Sequence, residues 1–393
     1  MFARRHLLVL GGFVAALAIA GAAEASWATS GSGAGYSKAS SLPAGSVPSH
    51  TISTYPNVAL NWTALSVAGA PVSYTVRRYS EAGTLQSIGA SCSGSVATNA
   101  CTESAVPVGR WQYTTQATKG GWLGAESAKS TTVEVAAPPT TLTCTNCHTY
   151  SGTGTVYVNS ANRTAVQLQA TLPATSLATD TANLSLTDSA SHTVSTSKPA
   201  TAGAGTVVFS TLSTATFVDG AVTAGSYVTA NTGDLSSTKS LALVRDTVAP
   251  TASDIVAANS GTRRIIDNGD TITYTFSEAV DPGTVKSGWA GTSTAVSVAF
   301  TNVGANDTFV VSGTNLGTVN TTANYVTGAV TCSGSTMVAS GATITVTLGT
   351  CLGLTRNGPN AGDNFQWTPT ATITDLAGNA LSPSTVTGST GTF

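Results

Sequence analysis

The sequence predicts an all-β chain in which sandwiches of short strands follow one another in tandem. Three observations carry that expectation. Apolar and polar residues alternate with period two in several stretches, the signature of strands with one buried face. Clusters of Gly, Asn, Asp and Ser separate those stretches at short intervals. Helical periodicity is nearly absent, whereas Thr, Val, Ile and Tyr, which suit a pleated surface, are abundant.

The first element is a targeting segment. Met1-Phe2-Ala3-Arg4-Arg5 is a basic start, residues 7–21 (LLVLGGFVAALAIAG) are all apolar, and Ala23-Glu24-Ala25 offers a small-x-small cleavage pattern. Together these read as a secretory signal peptide over residues 1–25, cut before Ser26. The apolar run is short for a bilayer span of about 20 residues. No second such run follows, so no integral membrane span is expected after cleavage. The expected location is secreted, in the extracellular space or at the cell surface, where disulfides are permissible. Residues 26–41 are small and polar and read as a flexible leader.

Composition narrows the function classes. Charged residues make up 9% of the chain, against about 25% in ordinary globular proteins. Net charge is −2, so no basic field exists to attract nucleic acid or anionic lipid. Ser, Thr and Gly take the surface role of Lys and Glu. A surface so poor in charge favours close lateral packing, and with it self-association by strand addition.

Two punctuation marks divide the rest. Ala136-Ala137-Pro138-Pro139-Thr140 is one and Asp246-Thr247-Val248-Ala249-Pro250-Thr251 is the other, giving segments 42–138, 139–247 and 248–393. In the second segment Val166, Leu168, Ala170 and Leu172 alternate with polar neighbours. In the third, Ile272, Tyr274 and Phe276 share one face, as do Ile344, Val346 and Leu348, with threonine opposite. Asn268-Gly269 offers a tight turn just before the first of these strands.

The first segment resembles a fibronectin type III module. The likeness rests on Val58-Ala59-Leu60-Asn61-Trp62-Thr63, on Ser73-Tyr74-Thr75-Val76-Arg77-Arg78-Tyr79 and on Gly109-Arg110-Trp111-Gln112-Tyr113-Thr114-Thr115. It implies that Trp62 fills the core between two sheets and that Tyr113 braces a corner. The second and third segments resemble bacterial immunoglobulin-like repeats of surface proteins. Here the residues are the Asp246–Thr251 junction, the run GDTITYTFSEAVDP ending at Pro282, and Thr374-Asp375-Leu376-Ala377-Gly378-Asn379. The whole therefore resembles an exported bacterial multi-domain surface protein: tandem fibronectin type III-like and immunoglobulin-like β-sandwiches after a signal peptide.

Six cysteines fall as three close pairs, one to a segment: Cys92 with Cys101, Cys144 with Cys147, and Cys332 with Cys351. Even number, local spacing and export argue for three disulfides within the modules. The central pair lies in Cys144-Thr145-Asn146-Cys147-His148, a C-x-x-C-H pattern that is also the attachment signature of c-type haem. Haem iron would want a second axial ligand, and His50, His192 and Met337 are poorly placed to give it. A disulfide is the favoured reading of this pair, and a c-type haem redox protein using Cys144, Cys147 and His148 is the alternative.

No nucleophile elbow or acid–base constellation stands out, so no enzyme is expected. Glu278 with Asp281 is the nearest carboxylate pair, and a strand-end turn explains it. Calcium is the candidate ion. It takes oxygen ligands from loops, and Asp246, Asp267, Asp270 and Asp375, together with Asp363 and Asn379, lie in loops of the third segment or at its junction. Modules of the resembled type sometimes bind calcium between domains; the plainer reading is that Asp and Asn cap their own turns. Trp122 and Trp289 are candidate glycan contacts, with Trp367 a third aromatic, against core burial for each. The expected function is that of a non-catalytic structural or adhesive protein of the cell surface or extracellular matrix. Its partner would be a surface or matrix protein or a polysaccharide, and a carbohydrate-binding accessory protein is the rival reading.

Overall fold

The computed structural model describes residues 41–67, 72–352 and 363–393. The expected signal peptide and the expected leader up to residue 40 lie outside the described residues. Nearly every regular element is a strand; the α-helical exception is a single turn, Pro282–Val285. Among the described residues no helix is long and apolar enough to cross a membrane.

Three cores follow one another along the chain. In the first module a three-stranded sheet (Ser49–Thr54, Asn57–Asn61, Ala100–Glu103) faces a five-stranded one built on Ser73–Ser80 and Gly109–Lys119. Val58, Leu60, Tyr74, Val76 and Tyr113 fill the space between them. Trp62 lies in this core as expected, edge-on to Tyr74 at 5.4 Å. Tyr113 is fully buried, but its hydroxyl donates to Glu103 Oε2 (2.8 Å) rather than to a corner of backbone. Glu103 in turn pairs with Arg78 at 2.9 Å, so a buried polar bridge ties one sheet to the other.

The second module sets a six-stranded sheet against a three-stranded one. Val166, Leu168, Ala170 and Leu172 all point into the core, as their alternation predicts. The strand His148–Thr149 sits at the edge of the larger sheet, paired with Val156–Val158.

The third module is a single ten-stranded sheet wrapped around one core. Its alternating stretches behave as read: Ile272, Tyr274 and Phe276 are buried, and so are Ile344, Val346 and Leu348. Its first and last strands, Ala252–Ala258 and Val386–Gly391, come together where Ala258 bridges Thr392. The approach is close enough to require glycine: a Cβ on Gly388 would fall 1.9 Å from the Ile255 carbonyl oxygen.

All three cysteine pairs are bonded, Cys92–Cys101, Cys144–Cys147 and Cys332–Cys351, one in each module. Each packs on or within its module's core. Below about 150 residues a domain buries a modest share of its surface, so a covalent staple is a useful supplement to each core.

Candidate functional site

The junction between the second and third modules collects the polar groups that sequence alone scattered. The strand Lys239–Arg245 ends the second module, and the Asp246 backbone N–H still donates to Val158 (2.9 Å). From the third module the loop Thr374-Asp375-Leu376-Ala377-Gly378-Asn379 folds back onto the second. Asn379 is its keystone, 2% exposed. Its backbone N–H and its Nδ2 each donate to one Asp375 oxygen, both at 2.8 Å. The same Nδ2 donates to the Asp246 carbonyl (3.0 Å), and Oδ1 accepts from the Ser160 N–H (2.9 Å). Asn159 completes the lock by donating to the Ala377 carbonyl at 2.8 Å.

Inside this lock three carboxylates converge. Asp246, Glu278 and Asp375 each place an oxygen within 4.8 Å of the other two. Asp375 is 1% exposed. Glu278 follows the strand Thr271–Phe276, and its Oε1 is buried without a hydrogen-bond partner. Burial pushes the Glu278 carboxyl up to about 7, and repulsion from Asp246, Asp375 and Asp219 adds to it. Burial also raises Asp246, with Asp375 adding repulsion against the opposing N–H of Val248. The cluster is thus a desolvated, oxygen-only set, the chemistry that a hard divalent cation completes.

The expected ion ligands divide accordingly. Asp246 and Asp375 meet here, whereas Asp267 and Asp270 do not. Asp270 is fully buried and caps a turn, accepting from Ser260 N–H (2.9 Å) and Asp267 N–H (3.0 Å), while Asp267 accepts from Thr262 N–H (2.7 Å). These two are turn formers, as Asp commonly is. Glu278 was the residue missed: sequence reading set it beside Asp281, but Asp281 instead caps the turn Pro282–Val285 by accepting from Gly283 N–H. The sequence offered its position just beyond a strand end, but no sign of the junction loop that meets it there.

The C-x-x-C-H motif borders the same junction. Cys144 and Cys147 are bonded to each other and pack against the second core. The His148 ring lies against Gly378, where a Cβ would come within 2.9 Å of Nδ1 and where φ is +83°. Glycine at that place therefore allows both the left-handed turn and the approach of the ring.

The aromatic candidates separate by exposure. Trp289 is 6% exposed and belongs to the third core, its Nε1 donating to the Thr292 carbonyl, so it offers no stacking face. Trp367 is fully buried as well. Trp122 is different: it lies 49% exposed beside exposed Leu123 on the hairpin joining Gly109–Lys119 to Trp122–Glu126. Among the described residues, the close His192–Asp188 pair (2.9 Å) is a turn cap, since Asp188 also accepts from the backbone of Ala190, His192 and Val218.

No protein-family model matches the chain, and no curated protein does. Among solved structures, the three fibronectin type III domains FN1–FN3 of chicken CNTN1 align with 88% of this chain and 99% of their own, at 11% identity and a TM-score of 0.24. That score is too low to carry an argument, so the assignment of tandem β-sandwiches stands on the strands, sheets and cores described above.

Proposed function

We propose that the chain is a non-catalytic, exported structural or adhesive protein of the cell surface or extracellular matrix, in which β-sandwich modules serve as spacers and as binding surfaces. The observation that supports this reading is three cores in series, each with its own disulfide, joined by short junctions of which the second is interlocked. Such a chain resists unfolding and proteolysis and transmits position rather than chemistry. The partner is a matrix protein or a polysaccharide, and the exposed Trp122–Leu123 tip is the contact that suits a sugar face. The test is retention of the purified, oxidised chain on envelope, matrix and insoluble polysaccharide fractions, with soluble products monitored in parallel. Retention without product release is expected, and Trp122→Ala weakens polysaccharide retention about tenfold while leaving the fold intact. Release of glycan or peptide products contradicts the reading.

The Asp246–Glu278–Asp375 cluster supports a further part of that function, stiffening of the second junction by calcium. Three carboxylates from two modules, one with a buried oxygen that lacks a partner, supply the ligand type this ion takes. Calcium at 100 times its dissociation constant would add about 2.7 kcal/mol. Calorimetric melting with and without calcium checks this: the ion raises the transition of the wild type and leaves Asp375→Asn unchanged. Equal shifts in both proteins, or none in either, remove calcium from the account.

A further inference from the structure

The first junction carries buried charge of its own, away from the calcium cluster. The strand Val133–Val135 ends the first module, and Ala136 already lies in the core of the second. A cavity of about 250 Å³ sits between the two, lined by Val108, Arg110 and Glu134 on one side and by Ser176, Leu177 and Asp180 on the other. The Glu134 N–H donates across the boundary to Asp234 Oδ2 at 3.1 Å. Glu134 is 4% exposed and Asp180 3%, both line this cavity, and Glu134 Oε2 is buried without a hydrogen-bond partner.

Two buried carboxylates facing one cavity repel when both are ionised. With one proton between them, one becomes a donor and the other its acceptor. The partner is well anchored for that role, since Asp180 accepts from Leu177 N–H (3.0 Å) and Asn231 N–H (3.4 Å) in the second module. The facing cation compensates poorly: Arg110 Nε is 3.7 Å from Glu134 Oε2, and its guanidinium also reaches Glu81 at 3.5 Å. Ser176 Oγ is buried beside the cavity without a hydrogen-bond partner, so opening the junction would let water reach it.

We propose that the first junction is a pH-operated hinge, in which a proton shared between Glu134 and Asp180 holds the first two modules in one arrangement and its loss frees them. Burial, and then the Asp180 charge, push Glu134 up to about 6. A carboxyl raised in the closed state stabilises that state fully below its ordinary value, and the contribution is lost as pH rises through about 6. His50, on the first module, faces Asp234 and works the other way. Burial lowers it against the raising effect of that carboxylate, so its contribution favours the closed state at higher pH. The cavity leaves room for the modules to move once the proton is gone.

The hinge is tested on the full oxidised chain by the distance between spin labels. Ketone-bearing residues replacing exposed Leu85 and Val208, one in each module, carry the labels and leave the disulfides untouched. One narrow distribution is expected at about pH 4.5, broadening roughly twofold by about pH 7.5 with a midpoint near 6. Glu134→Gln, whose neutral amide still donates to Asp180, should stay narrow throughout, and His50→Gln should keep the wild-type transition. A distribution indifferent to pH, a transition that survives Glu134→Gln, or one abolished by His50→Gln overturns the hinge.

Discussion

Glu103 shows how this chain treats a charge that it buries. Its Oε1 accepts from Arg78 Nη1 (2.9 Å) and the Gly89 N–H (2.8 Å), and its Oε2 from the Tyr113 hydroxyl (2.8 Å). Arg78 also donates to the Ser87 carbonyl at 2.7 Å and stacks over the Trp111 ring at 4.6 Å. Each charge in the cluster faces an opposite one, although Arg78 Nε is buried without a partner, so the cost of breaking the pair exceeds the net worth of forming it. Glu103→Ala strands a buried guanidinium and is expected to destabilise the first module by about 3–5 kcal/mol in urea unfolding. Arg78→Met with Glu103→Leu removes both charges together and should recover most of that loss. At the second junction the balance is different, because Glu278 Oε1 has no hydrogen-bond partner and its neighbours are acids. That contrast between opposed and like charge is what supports the proposed ion site at the second junction.

Among the elements, the two end strands of the third module depend most on a single residue type. Val386–Gly391 lies against Ala252–Ala258 at a distance that admits no side chain at Gly388. Gly388→Ala is therefore expected to cost about 3 kcal/mol, read as a lower midpoint of thermal unfolding of that module. The strands themselves were legible in the sequence, because alternation at Ile272–Phe276, at Ile344–Leu348 and at Val166–Leu172 is a local property and each face has a fixed destination. Closure of the sheet was not legible, since Gly388 looks like any turn glycine until its distant neighbour Ile255 is in place. The candidate site divides on the same line. Asp246 and Asp375 were readable from junction motifs, and the disulfides from local spacing. Glu278 was not, because its approach to both depends on how two modules meet. Asp267 and Asp270 misled because a turn-capping aspartate and an ion ligand present the same residue type in the same kind of loop. For Trp289 the sequence left a glycan contact and core burial open, and the ring completes the third core.

At the scale of the molecule the three modules form a series held by two dissimilar joints. The second is locked by Asn159, Ser160 and Asn379 around the acidic cluster. The first is crossed by the hydrogen bond from the Glu134 N–H to Asp234, with a cavity beside it. A softer joint followed along the chain by a stiff one suits a spacer that must both change its angle and hold a distance. In the proposed function these are independent structural modules, each clamped by its own disulfide. Pulling the full chain from its two ends, one molecule at a time, tests it most directly. Three separate unfolding events are expected in the oxidised chain, and under reductant the same three with extra length released for the loops closed by Cys92–Cys101, Cys144–Cys147 and Cys332–Cys351. A single cooperative rupture, or a total extension unchanged by reductant, would contradict it.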